Sequence, residues 1–328
     1  MSPRAGAAGR LVAAVRREPL LPVLLVLLGG LSLVYREFAT VDSLRNVAVQ
    51  ASPLIVAAVG MTYVIMTGGI DLSVGSMLFL AAAIETGGAL AGRPAAAVFA
   101  VVALAGLGMG LVNGLAVAYT RVPALIVTLA TMQVFRGAGG HVTGQQNIDL
   151  PVHLRGIGTA SLFGVPWPVL LAAAVALAAA FVFGRTTFGR YVQAVGSSPD
   201  AAVNAGLPAR GVLVGAYAVA GLLAAIASLA QTARLGAVQP SIGQGYELTV
   251  ITAVVLGGTT LLGGRGSIAG TVLGALVLTT VQTGLVFSGA SPYAFDIVRG
   301  GVLLAAVLAA GVRWMRRRPS RHLEMELP

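Results

Sequence analysis

Runs of roughly 20 apolar residues recur along this chain with only short joints between them, and that pattern constrains the fold more than anything else. About 20 such residues carry a helix across the hydrocarbon core of a bilayer, and in lipid the backbone must satisfy its own hydrogen bonds. Expected spans lie at 20–35, 47–66, 72–91, 95–119, 122–140, 166–184, 211–232, 245–262, 267–288 and 294–312, about ten in all. The predicted fold class is all-α: a polytopic membrane protein with about ten transmembrane helices, some broken or re-entrant. Composition agrees, because only 10% of the residues are charged where soluble domains carry about a quarter. Three regions follow: a cytoplasmic N-terminal segment 1–19, a transmembrane domain 20–312, and a cytoplasmic tail 313–328.

All 21 basic residues are arginine, and the net charge is +10. The arginines sit at segment ends and form no single patch, so membrane topology explains them better than nucleic acid does. With the N-terminus inside, the inner side holds Arg4, Arg10, Arg16, Arg17, Arg121, Arg185, Arg190, Arg210, Arg265, Arg313, Arg316, Arg317, Arg318 and Arg321. A cleavable signal peptide competes for the first apolar run, but 20–35 is long for one, and an uncleaved first span is expected. Cysteine is absent, which excludes disulfides, thiolate nucleophiles and cysteine metal sites. His141, His153 and His322 have no spacing suited to metal or base chemistry. Neither an enzyme nor a metal or cofactor site is expected.

The segment from Arg185 to Arg210 is the longest mid-chain run not dominated by large apolar residues. It reads as a short helix, Ala201–Ala205, between the breakers Gly196, Ser197, Ser198 and Pro199 and the breakers Gly206 and Pro208. Ser198 suits the N-cap, Pro199 the first turn, and Asp200 the positive end of the dipole. Two readings stay open on composition: a docking helix for a soluble partner, or a solvated loop whose arginines only set topology.

Thr67-Gly68-Gly69-Ile70-Asp71-Leu72-Ser73-Val74-Gly75-Ser76 interrupts an apolar region with paired glycines, an acid and hydroxyls. Lipid does not tolerate such a break unless protein or a water-filled cavity covers it. Asp71 is either a cap on the following helix or a group on a solute pathway. Asn113, Thr128, Thr131 and Gln133 are polar groups inside apolar segments, and bonding to a neighbouring helix competes with a substrate role. The stretch 141–166 is polar and proline-broken and is expected to be external, with Trp167 an interface anchor. Glu247 opens a span, so a helix N-terminus and a gate are both open for it. The glycine-rich joint 257–270 lacks G-K-[ST] and binds no phosphate on this pattern. A faint internal echo pairs Gly68-Gly69 with Gly257-Gly258, and Asn113-Gly114-Leu115 before Pro123 with Thr283-Gly284-Leu285 before Pro292.

Four patterns carry a resemblance. They are T-x-F-G-R-x-x-x-A-x-G-x-x-x-x-A-A-x-x-x-G-L from Thr186, G-G-I-D-L-S-V-G from Gly68, N-G from Asn113 with P-x-x-I-x-T-L from Pro123, and G-x-G-Y-E-L from Gly243 with the glycine joints after it. From about Pro53 to Gly311 the chain resembles ABC importer permeases for ribose, xylose, arabinose or galactose, relatives of branched-chain amino-acid permeases. The resemblance implies that Phe188, Gly189, Arg190, Gly196, Ala201, Ala202, Gly206 and Leu207 couple the chain to an ABC ATPase subunit, which is where ATP is used. It also implies an extracytoplasmic sugar-binding protein, a second permease copy or close paralogue, and the bacterial inner membrane with both termini cytoplasmic. Asp71, Ser73, Asn113, Thr128 and Glu247 are the expected pathway residues. The competing class is an ion-coupled secondary transporter drawing on Asp71, Glu85, Glu247 or Asp296. An ABC permease for nucleosides or a furanose signal molecule is also open.

Overall fold

A computed structural model of the chain describes residues 18–90 and 92–317. The expectations for Arg4, Arg10, Arg16, Arg17, Arg318, Arg321 and His322 lie outside the described residues. In chain order the helices are α1 (Leu20–Val34), α2 (Val41–Met66), α3 (Val74–Glu85), α4 (Ala95–Tyr119), α5 (Ala124–Thr143), α6 (Val152–Thr159), α7 (Trp167–Arg185), α8 (Thr187–Ser197), α9 (Pro199–Asn204), α10 (Ala209–Leu235), α11 (Tyr246–Leu256), α12 (Ile268–Phe287) and α13 (Pro292–Arg317). Among the described residues the only strands are two-residue pairs, β1 (Ile148–Asp149) with β4 (Ala237–Val238) and β2 (Ser161–Leu162) with β3 (Val165–Pro166). The chain is a mostly helical polytopic membrane protein. Among the described residues, five helices are long and apolar enough to cross a bilayer: α2, α4, α7, α10 and α12.

Every expected span contains a helix, but two are far shorter than expected. The stretch 72–91 holds only the 12 residues of α3, and 245–262 only the 11 residues of α11. At 1.5 Å per residue these rise about 17–18 Å, roughly half of a ~30 Å hydrocarbon core. The apolar signal runs on past both helices while the backbone does not: Gly258, at φ +89°, follows α11. In the other direction α2 begins earlier than expected, at Val41, because the Thr40 hydroxyl accepts a hydrogen bond from Ser43 N at 3.2 Å and caps it.

The core is formed where α2 and α10 pack on each other, with α4 along α10 and α12 along α2. Close approach of α4 and α10 depends on glycine: a Cβ on Gly110 would lie 2.9 Å from Ala218 Cα, and one on Gly114 2.8 Å from Val214 Cα. Gly106, Gly110 and Gly114, four residues apart, form the small-residue stripe that brings membrane helices together.

The two halves repeat one plan, long helix, break, short helix, long helix, final helix, as α2–α5 and again as α10–α13. The Asn113-Gly114 and Thr283-Gly284 echo falls at matching places, late in α4 and α12. The Gly68-Gly69 echo does not match, because Gly257-Gly258 follows the short helix and its counterpart is Gly87-Gly88.

Four contacts assemble one face. Glu18 Oε1 accepts a hydrogen bond from the Ser267 hydroxyl at 3.1 Å. Gly264 N donates to Met66 O at 2.9 Å, and a Cβ on Gly264 would lie 3.0 Å from Ser197 N. Arg210 stacks over Tyr119, 5.4 Å from the ring centre. The start of α1, the α4–α5 joint, the 185–210 segment and the joint before α12 therefore lie together. The 141–166 stretch contains α6 and is joined to the α10–α11 connection through β1–β4, and its Arg155–Asp149 ion pair, at 3.2 Å, is largely exposed.

A buried polar knot and the 185–210 segment

The break after α2 is closed over by polar side chains from three other helices. Asp71 is fully buried. Its Oδ1 accepts from Ser73 N at 2.8 Å and from the Ser73 hydroxyl at 2.6 Å. A carboxylate two residues ahead of an amide forms a side-chain turn, which starts α3 and compensates the cost of burying the group. Asn113 of α4 donates to the Ser73 hydroxyl at 2.8 Å and to Asp71 Oδ2 at 3.3 Å. Thr128 of α5 donates to Ile70 O at 3.2 Å. Four residues picked from the sequence, Asp71, Ser73, Asn113 and Thr128, thus meet at one place.

Tyr217 of α10 also reaches Ile70 O, at 3.4 Å, and is buried. Nothing local in the sequence marks it, since it is one aromatic within a long apolar helix. Thr131 bonds only its own helix, at Thr128 O, and Gln133 is exposed. A cavity of about 330 Å³ lies elsewhere, among Phe99, Ala103, Trp167, Leu171, Ile226 and Leu229. Its walls are almost wholly apolar.

Glu247 is not in the knot. It sits half-buried in the first turn of α11, with its carboxylate against Gly75 of α3. Glu85, at the other end of α3, is buried and accepts from the Thr232 hydroxyl at 2.7 Å.

The 185–210 segment contains two helices where one was expected. Thr186 caps α8 by accepting from Gly189 N at 3.4 Å, and Ser198 caps α9 by accepting from Ala201 N at 3.3 Å. Pro199 and Asp200 occupy the first turn of α9 as predicted. Gly206, at φ +76°, ends it, with Leu207 N bonded back to Ala202 O at 3.0 Å. Gly196 and Ser197 were expected to break the chain, yet both lie inside α8. Gly196 serves contact instead: a Cβ there would collide with the Met66 carbonyl.

The eight residues assigned to coupling divide by the way they face. Phe188 stacks on Tyr63 with ring centres 5.9 Å apart, Gly189 abuts the Phe183 carbonyl, and Gly196 abuts Met66. Ala202 is buried. Arg190, Ala201 and Gly206 face outward, and Leu207 is half-buried. Val203, which carried no signal in the sequence, is 59% exposed on the same short helix.

Comparison with known proteins adds a family to this geometry. Residues 43–307 match the family model described as "Branched-chain amino acid transport system / permease component". The chain is 41% identical over 296 residues to the ribose import permease protein RbsC of Escherichia coli (strain K12), covering 87% of this chain and 90% of that protein. It is 31% identical over 290 residues to the D-allose transport system permease protein AlsC of the same strain, covering 88% of each. It is 34% identical over 300 residues to the autoinducer 2 import system permease protein LsrC of Yersinia pseudotuberculosis serotype O:1b (strain IP 31758), covering 90% of this chain and 85% of that one. No solved structure matches. The relatives are transport permeases and not enzymes. A helical membrane body, a glycine-interrupted break tied by a buried carboxylate, and a match across most of its length show that this chain belongs to the branched-chain amino acid transport system permease family.

Proposed function

We propose that the chain is the membrane-spanning permease subunit of an ATP-binding-cassette importer for a monosaccharide, a pentose or hexose, powered by ATP hydrolysis in a separate subunit. The observation that carries this is the seating of α8 on the end of α2. Gly196 rests on Met66, and Gly264 donates to the same carbonyl, so a pull on the 185–210 segment reaches the break that holds Asp71 directly. Exposed Ala201, Val203 and Gly206 offer a small, partly apolar surface for a groove on the ATPase. Phe188, Gly189, Gly196 and Ala202 carry the load inward.

In this reading a binding protein delivers the solute to the outer face, the permease pairs with a second copy or paralogue, and ATP-driven closure reorients the pathway. Asp71, Ser73, Asn113 and Thr128 hold the break in register beside that pathway. Asp71, Ser73 and the Asn113 amide nitrogen bond one another and Thr128 bonds Ile70 O, while Asn113 Oδ1 has no partner among the described residues. The chain makes about ten passes of the bacterial inner membrane, those of the short helices α3 and α11 broken by non-helical backbone, with both termini cytoplasmic. The shared face of the 120–122, 185–210 and 263–267 joints supports the inward placement of Arg121, Arg185, Arg190, Arg210 and Arg265. Similarity to the ribose permease makes a pentose the first solute to try, and the Yersinia relative makes an autoinducer-2-like signal the second.

The test is copurification of the tagged chain with an ATPase, repeated with Ala201→Arg. Loss of the ATPase from a correctly inserted variant is the expected result. An ATPase that binds the variant as well as the parent would contradict the docking role.

A further inference from the structure

The 141–166 stretch ends in a hairpin that displays apolar side chains. β2 pairs with β3, Ser161 against Pro166 and Leu162 against Val165. Trp167 N donates to Ala160 O at 2.9 Å, so the hairpin is clamped to the first residue of α7. Its two-residue turn is Phe163-Gly164, with φ +50° and +81°. A turn with both central residues at positive φ matches the twist of a hairpin, and its first position favours asparagine, aspartate or glycine. A bulky aromatic residue there is strained, and strain of this kind gathers at functional sites. The side chain so displayed is 96% exposed. Leu162, Val165 and Trp167 beside it are exposed as well.

The level of this tip is set by α7. That helix is long and apolar enough to cross a bilayer, and a tryptophan at its first position marks the boundary between hydrocarbon and headgroups. Each strand of the hairpin is two residues long, about 7 Å of extended chain. A headgroup layer is about 5–7 Å deep, half the difference between the whole bilayer and its hydrocarbon core. The tip therefore lies in the headgroup layer or at its margin, whichever way the hairpin leans. No charged residue occurs from Gly156 to Gly184, so nothing in the hairpin opposes its entry. The apolar cavity has Trp167 and Leu171, one turn apart on α7, in its wall. A cavity with such walls stays dry, which fits a level at the edge of the hydrocarbon.

We propose that the 161–167 hairpin is an interfacial anchor: Leu162 and Phe163 enter the outer leaflet of a phospholipid bilayer beside Trp167 and fix the depth of α7. Lipid suits the tip better than a protein partner does. A protein would have to approach within the headgroup layer, and it would meet no charged side chain there to set its register. The other end of α7, at Arg185, passes directly into α8. A fixed outer end therefore holds the 185–210 segment at a set depth. The anchor needs only a bilayer and stands apart from the importer reading.

The chain has two tryptophans, Trp167 and Trp314. With both changed to phenylalanine, Phe163→Trp places a single indole at the tip, and Leu162→Trp places one beside it as an independent reporter. The full chain is reconstituted in phosphatidylcholine vesicles whose acyl chains carry bromine either near the carboxyl end or near the methyl end. Bromine near the carboxyl end should quench the tip indole several-fold more than bromine near the methyl end. Acrylamide in the water should quench it several-fold less than it quenches Gln146→Trp, an exposed position of the same stretch. A tip indole that acrylamide quenches freely and brominated lipid does not would overturn the anchor. Protection from acrylamide that appears only after the purified binding protein is added would overturn it too, and would assign the tip to a protein partner. If Phe163→Trp does not fold, Leu162→Trp decides alone.

Discussion

Gly196 of α8 sits so close to Met66 at the end of α2 that a single added methyl group would collide with the Met66 carbonyl oxygen. Gly264 N bonds that same carbonyl at 2.9 Å, so three segments distant in sequence share one backbone atom as their joint. On the importer reading proposed above, this joint would link the docking helix to the membrane core.

Gly196→Ala should therefore weaken the seating of α8. Overpacking of this kind costs about 1–3 kcal/mol, and the effect should exceed that of Gly206→Ala in function, where nothing lies within 4 Å and only the positive φ is strained. Thermal unfolding of both variants in detergent and ATP-driven uptake in vesicles check this. Gly196→Ala should lose uptake with the ATPase still attached.

Asn113→Ala removes the amide that bonds Asp71 and Ser73 and leaves a fully buried carboxylate short of a donor. A loss of about 1.5–3 kcal/mol is expected, read as a lower melting temperature. Asp71→Asn keeps an acceptor for Ser73 N and should be milder than Asp71→Ala.

Ala201 and Ala202 are neighbours with opposite surroundings. Ala201→Arg points into solvent and should leave the melting temperature unchanged while releasing the ATPase. Ala202 is 4% exposed, so Ala202→Arg buries a charge and should unfold the segment. Equal melting temperatures for the two would contradict the orientation of α9.

Gly110→Leu forces a large side chain onto Tyr217 and Ala218 where α4 and α10 approach. It should destabilise by more than 3 kcal/mol, about the upper range for overpacking. Gly108→Leu, on the open face of the same helix with nothing within 4 Å, should be near neutral. Expression level and melting temperature in detergent separate them.

Much of this architecture was legible because lipid makes a simple demand. Apolar length located a helix in every expected span, and Ser198, Pro199 and Asp200 marked the start of α9 through ordinary capping chemistry. Hydropathy overran α11 because Gly257 and Gly258 end it, and overran α3 past the polar stop at Glu85 and Thr86. Gly196 was misread for the converse reason: glycine signals either a break or a close approach, and only the facing Met66 tells which. Asp71, Ser73, Asn113 and Thr128 stood out as polar atoms in apolar runs, but their convergence depends on helices up to 57 positions apart by number, from 71 to 128. Tyr217 had no such contrast and needed the packing to be seen, whereas Arg136 is a charge inside the expected span 122–140 whose partner, the turn at Ile242, only the packing shows.

The most direct measurement is accumulation of labelled D-ribose by sealed vesicles containing the chain with its ATPase and binding protein. Accumulation should require ATP and persist after an ionophore abolishes ion gradients. Accumulation that follows an ion gradient without ATP would contradict the importer.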